Sequence, residues 1–207
     1  MFKPLTILLT CALLINAGFV LADEPAQAAS ITDLQAGDVL PTFALVDDGG
    51  RDWKLEEHTG GKLLVLYFYP GDFTTGCTAQ AQKFHDSLKE LTSLGVEVVG
   101  ISGDTVDTHK LFKEAYGLEH TLLADSEGSV AKLLGVPVGR GGKARLIGVD
   151  RQPILDADSK SVFVERPVTL QRWTFIIDRE GKVISNRKTV NPTKDAAEVL
   201  EIVKKLP

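Results

Sequence analysis

Cysteine is nearly missing from this chain: 207 residues hold two, Cys11 and Cys77, and only Cys77 lies beyond the first two dozen positions. There is no Cys-x-x-Cys pair, so a dithiol oxidoreductase is disfavoured, and without its N-terminal segment the chain cannot close a disulfide on itself. Histidine is scarce and scattered, at His58, His85, His109 and His120, with no zinc spacing, and all four read as solvated surface residues. His85 is eight residues beyond Cys77 on the same expected helix. That is about 12 Å along the axis, beyond reach as a general base. The other three histidines show no pairing with the thiol, and neither metal nor cofactor is expected. An excess of positive charge is also missing. Lys and Arg number 23 against 28 Asp and Glu, giving −5, which suits nucleic acid poorly. Repeats and a second domain are absent, and 43% hydrophobic with 25% charged residues excludes a disordered or fibrous chain.

The N-terminus, "MFKPLTILLTCALLINAGFVLADEPAQA", has one Lys, an apolar run from Leu5 to Ala22, and small residues where a signal peptidase cuts. This reads as a secretory signal over 1–22, cleaved after Ala22 or Ala28. An uncleaved anchor competes, since a span needs about 20 apolar residues. Asn16, Gly18 and the polar "DEPAQAAS" favour cleavage. Cys11 sits too early, after Leu-Leu-Thr, for a lipoprotein cysteine. Cleavage removes Lys3 and no acid, so the charge goes from −5 to −6. The expected location is an export compartment, a bacterial periplasm, with the membrane touched only through this segment.

The rest reads as one α/β domain over 31–207. "LPTFALVDDGGRDWKL" is a hairpin around Asp-Gly-Gly, and "KLLVLYFYP" is a short, wholly apolar central strand ended by Pro70. Cys77, Ala81, Phe84, Leu88 and Leu91 recur at helical spacing until Gly95, with Thr74 or Thr75 as the cap. Then follow strand "VEVVGIS", helix "TVDTHKLFKEAYG", strand "TLLAD" and a short helix "SVAKLLG". This alternation predicts a sheet with helices on both faces. Residues 139–171 look like an inserted loop or hairpin, "RWTFIIDREGKVISNRK" is a closing hairpin, and Asn191 caps a last helix whose apolar face is Ala197, Leu200 and Val203.

A thiol reacts as its thiolate, and the first turn of a helix favours an anion. Cys77 has that place, but it also begins the apolar stripe, as a plain buried cysteine would. On position alone the two readings are equal. The neighbours decide between them. "YPGDFTTGC" carries Pro70, Thr74 and Cys77 as Pro-x-x-x-Thr-x-x-Cys, and with "GKLLVLYFYPGDFTTGCT", "VVGISGDTVDTHKLFKEAYGLEHTLLADSEGSVAKLLGV" and "RWTFIIDREGKV" it resembles the peroxiredoxins, in the bacterioferritin-comigratory or PrxQ subgroup. The likeness covers 34–205 apart from the insertion.

The resemblance implies a thioredoxin-like fold and a thiol-dependent peroxidase acting on hydrogen peroxide and organic hydroperoxides. Cys77 would attack the peroxide and become a sulfenic acid. Arg172 would favour the thiolate and hold the peroxide oxygens, the Thr74 hydroxyl and Cys77 N–H would orient them, and Pro70 would keep water away. The subgroup's resolving cysteine, five residues on, is here Gln82, and the family's glutamate three residues on is Gln80. Resolution would come from an external thiol, a thioredoxin-like protein or a small thiol, in a monomer or homodimer. The missing second cysteine leaves an alternative open: a low-turnover peroxide sensor or protein-binding module.

Overall fold

The computed structural model describes residues 34–148, 150 and 152–206. The leader over 1–22 and its cleavage sites lie outside them. The expected first hairpin is β1 (Ala44–Asp47) with β2 (Asp52–Lys54), its turn held by Asp47, whose Oδ1 accepts from the N–H groups of Gly49 and Arg51 at 2.8 Å each. A single helical turn, α1 (Leu55–His58), leads into β3 (Leu63–Phe68), every residue of which is buried. Such a strand must have cover on both faces, which accounts for its unbroken apolar run.

After α2 (Thr75–Ser93) the chain alternates through β4 (Val96–Ser102), α3 (Val106–Tyr116), β5 (Thr121–Ala124) and α4 (Ser129–Leu133). It then leaves the sheet as a two-stranded arm, β6 (Val138–Arg145) with β7 (Phe163–Leu170), which is the insertion foreseen near 139–171. It returns as β8 (Trp173–Ile177) and β9 (Val183–Arg187) and ends in α5 (Asp195–Val203). The seven-stranded sheet runs β2-β1-β5-β4-β3-β8-β9, with β3, β4 and β5 parallel and β1 and β8 antiparallel to their inner neighbours. This is the mixed sheet of a thioredoxin-like fold.

Alternation along β3 divides the core. Leu64, Leu66 and Phe68 point to one face with α1, α4 and the β1–β2 hairpin, while Val65, Tyr67 and Tyr69 point to the other with α2, α3 and α5. Burying each such side chain contributes on the order of 2 kcal/mol. The last helix departs from the expected register. Asn191 Oδ1 accepts from Thr193 N and Oγ1, capping a turn over 192–194, so the helix begins only at Asp195. Its buried face is therefore Ala196, Val199 and Val203, and Ala197 is exposed.

The arm is docked and not merely attached. Ala144 and Leu146 join one core, Leu170 the other, and Tyr116 Oη donates to Ile147 O at 2.6 Å. Val168 O passes so close to Gly103 that a Cβ there would lie 2.2 Å from it. Gly103→Ala should therefore force β7 outward and cost about 1–3 kcal/mol in urea unfolding. An unchanged midpoint would show that the arm does not press on the end of β4.

Candidate active site

Strand pairing brings together residues far apart in sequence. β8 runs antiparallel to β3 with Trp173 opposite Phe68, so Arg172 lies at the strand end where Tyr69 and Pro70 leave the sheet. From there a five-residue loop, 70–74, feeds α2, and Cys77 falls in that helix's first turn. Arg172 Nη2 donates to Cys77 Sγ at 3.2 Å, and the sulfur is buried, its residue 1% exposed.

Thr74 stands at the N-cap position with extended backbone (φ −90°, ψ 144°), but its side chain does not cap. Its hydroxyl turns back and donates to Gly71 O at 3.0 Å, which leaves the oxygen's lone pairs as acceptors. The helix N-terminus thus receives no side-chain cap, and the N–H groups of its first turn, Cys77 among them, have no intrahelical acceptor. They are set out for oxygen atoms brought by a ligand. Pro70 is half-buried at the strand end and offers no N–H. Pro70, Thr74, Cys77 and Arg172, all singled out from the sequence, thus lie on one loop, the helical turn that follows it and the strand end beside it.

Behind the sulfur a second line of contacts holds the arginine. Arg172 Nη1 donates to Gln80 Oε1, one helical turn after Cys77. Gln80 is fully buried, and its Nε2 donates to Asp195 Oδ2 at 2.7 Å. Asp195 Oδ2 also accepts from Thr174 Oγ1 at 2.7 Å, and Asp195 Oδ1 accepts from Arg187, which reaches on to Glu198. Asp195 was not foreseen. An acid opening a helix normally reads as a dipole partner and gives no sign of reaching the surroundings of Cys77, 118 positions earlier in the chain.

Beneath the loop lies a buried charged cluster. Asp72 accepts from Tyr69 Oη and His109 Nδ1, both at 2.8 Å, and its own N–H donates to Asp104 Oδ2 at 2.8 Å. Ser102 Oγ donates to the same Asp104 oxygen at 2.7 Å. Arg166, from the arm, enters from the other side: Nε donates to Asp104 Oδ1 at 3.2 Å, Nη2 to Asp72 O at 3.0 Å and Nη1 to Pro70 O at 3.5 Å. Only a residue without Cβ fits at Gly71, since a Cβ there would lie 2.1 Å from the Arg166 guanidinium. Phe73 adopts φ 59°, which costs on the order of 1 kcal/mol and is held by ring contacts to Phe112 at 5.2 Å and Tyr116 at 6.1 Å.

The histidines correct the sequence reading. His109 and His120 are buried, not solvated. His109 Nε2 faces Leu123 O at 3.2 Å while Nδ1 faces Asp72, two acceptors that demand two N–H groups, so the ring is an imidazolium. Burial, the largest single influence, pushes its pKa down, but Asp72, Asp104 and the Leu123 carbonyl together outweigh it and hold the ring above the usual imidazole value. His120 is the reverse case: burial and the nearby Lys113 push it down to about 3, and its Nε2 pairs with Tyr67 Oη at 2.7 Å. Among the described residues no three His, Cys, Asp or Glu side chains converge on a metal position.

Comparison with known proteins matches this architecture. The AhpC/TSA family matches residues 36–186. The chain is 35% identical to the chloroplastic peroxiredoxin Q of Triticum aestivum over 197 residues, covering 92% of this chain and 78% of that one. It is 34% identical to the putative peroxiredoxin bcp of Coxiella burnetii, covering 81% and 97%. Peroxidoxin BcpB from Mycobacterium tuberculosis superposes with a TM-score of 0.66 at 28% identity, covering 84% of this chain and 99% of its own.

The imidazolium has a pH signature. Its folded pKa is raised, so the stability it contributes is complete below the unfolded value and is lost as pH rises through the folded one. The stability gap between the protein and its His109→Gln variant, measured by denaturant unfolding, should therefore narrow with rising pH above neutrality. A gap that stays constant or widens would mean a neutral His109.

Proposed function

We propose a reaction centred on Cys77, from the premise that the chain belongs to the AhpC/TSA family. The protein is a peroxiredoxin, a thiol-dependent peroxidase, kin to peroxiredoxin Q and bacterioferritin-comigratory proteins. The observation that carries the assignment of Cys77 is the guanidinium of Arg172 at 3.2 Å from its sulfur, in the first turn of an uncapped helix.

A peroxide enters with its terminal oxygen toward Sγ. The thiolate's electron pair attacks that oxygen in line with the O–O bond, the bond breaks, and its electrons leave on the other oxygen. Sulfur is oxidised to a sulfenic acid and the peroxide is reduced; the leaving oxygen takes a proton and departs as water or an alcohol. Arg172 stabilises negative charge first on sulfur and then on the peroxide oxygens, and helix N–H groups do the same from the other side. The Thr74 oxygen, its proton committed to Gly71, accepts from the peroxide O–H and so aims the terminal oxygen at sulfur. Pro70, with no donor of its own, covers the strand-end side.

Recycling needs a thiol from outside. Gln82, exposed on α2, stands where the subgroup places its resolving cysteine. A thioredoxin-like or small thiol attacks the sulfenic sulfur, releasing water and leaving a mixed disulfide, and a second thiol frees Cys77. The apolar segment Leu5–Ala22 supports export to a periplasm with removal of residues 1–22 or 1–28, which also removes Cys11. Kinship with peroxidases disfavours the sensor reading.

Without added thiol, the protein should consume one equivalent of peroxide and gain one oxygen by mass spectrometry; with dithiothreitol, consumption should continue. Cys77→Ser should abolish both, and a serine variant as active as the parent would defeat the assignment. Arg172→Lys keeps a charge but loses the planar fork, and should slow Cys77 oxidation about 100-fold in stopped-flow measurements. A rate within about 2-fold of the parent would remove Arg172 from the mechanism.

A further inference from the structure

Gln80 poses a problem of orientation. A glutamine amide has one acceptor end and one donor end, and only the acceptor can face an arginine. Left free to rotate, the amide would present its N–H groups to Arg172 part of the time and push the guanidinium off Cys77. Gln80 itself is fully buried, so water cannot settle the matter.

The group that settles it is on another helix. Asp195, fully buried at the start of α5, offers Gln80 only acceptor oxygen, and Gln80 Nε2 donates to it at 2.7 Å. Asp195 is in turn aimed by Thr174 Oγ1 of β8, two residues after Arg172, and by Arg187. Building on the peroxidase reading above, we propose that Asp195 is a positioning residue for peroxide reduction: it orients the Gln80 amide so that Oε1 meets Arg172 and the guanidinium stays on Cys77 Sγ. A carboxylate at position 80 would accept from the arginine in either orientation. In this chain the carboxylate stands one link further back, at Asp195.

The contacts dictate what each exchange does. In Asp195→Asn, Arg187 only donates, so the new amide turns its oxygen to Arg187 and its NH2 to Gln80. Gln80 must then flip and present N–H to Arg172. In the double variant Gln80→Glu, Asp195→Asn, the asparagine NH2 donates to one glutamate oxygen and Arg172 donates to the other, so every group regains a partner.

The test measures Cys77 oxidation by hydrogen peroxide in stopped flow and, separately, the pH midpoint of Cys77 alkylation by iodoacetamide. Asp195→Asn should oxidise about 10-fold more slowly with a higher alkylation midpoint, the loss of one hydrogen bond to a charged group. The double variant should recover most of the rate and return the midpoint toward the parent's. A single variant equal to the parent in both, or a double variant as slow as the single, overturns the proposal. If Asp195→Asn does not fold, the double variant decides alone: near-parent reactivity supports the relay, and slow or unfolded protein overturns it. Alkylation needs no peroxide, so a parent that consumed none would defeat the peroxidase reading while leaving this relay tested. In the unaltered protein, the Gln80 side-chain amide protons should exchange slowly by NMR, and exchange as fast as a free glutamine's would overturn it.

Discussion

The antiparallel pairing of β8 with β3 is the constraint on which the site rests. It sets Trp173 opposite Phe68 and thereby delivers Arg172 to the mouth of the loop that leads to Cys77, 95 positions away in sequence. A slip of one residue would turn every β8 side chain to the other face of the sheet. Both strands are buried on both faces, Leu64 through Tyr69 against Trp173 through Ile177, so such a slip would exchange the side chains that fill two closely packed cores. The packing of the core and the placing of the guanidinium are thus the same event.

The loop itself is shaped from below. Buried charges are costly unless each finds opposite charge and hydrogen bonds, and here two carboxylates, Asp72 and Asp104, meet two cations, His109 and Arg166. Backbone carbonyls of Pro70 and Asp72 complete the coordination of Arg166. The cluster holds 70–74 in a path that includes a left-handed Phe73, and so determines where the Thr74 oxygen and the first N–H groups of α2 point.

Much of this is written in local sequence. The apolar β3, the stripe on α2 and the hairpin β1–β2 have periodicities that survive folding unchanged, and Pro70, Thr74 and Cys77 sit in one contiguous motif. Arg172 was visible through the motif that surrounds it. His109 carries a sign of its burial in the sequence, because it lies three residues before Phe112 on the inward face of α3. Arg166 and Asp195 carry no such sign. Each is a charged residue in an ordinary place, a strand of the arm and a helix start, and each gains its meaning only from chain that folds against it. On the last helix Val203 faces the core as its spacing predicts and Leu200 packs at its margin, while Ala196 and Val199 take the central places and Ala197 is exposed.

Arg166 gives this enzyme a built-in order of assembly. Its partners Asp72 and Asp104 lie 94 and 62 positions earlier in the chain, and Arg172 follows it closely. Contacts of such separation close late, after local helices and hairpins have formed. A chain emerging from synthesis in extended form therefore carries Cys77 without its guanidinium, and the sulfur meets Arg172 only when the last third of the polypeptide has closed over the first.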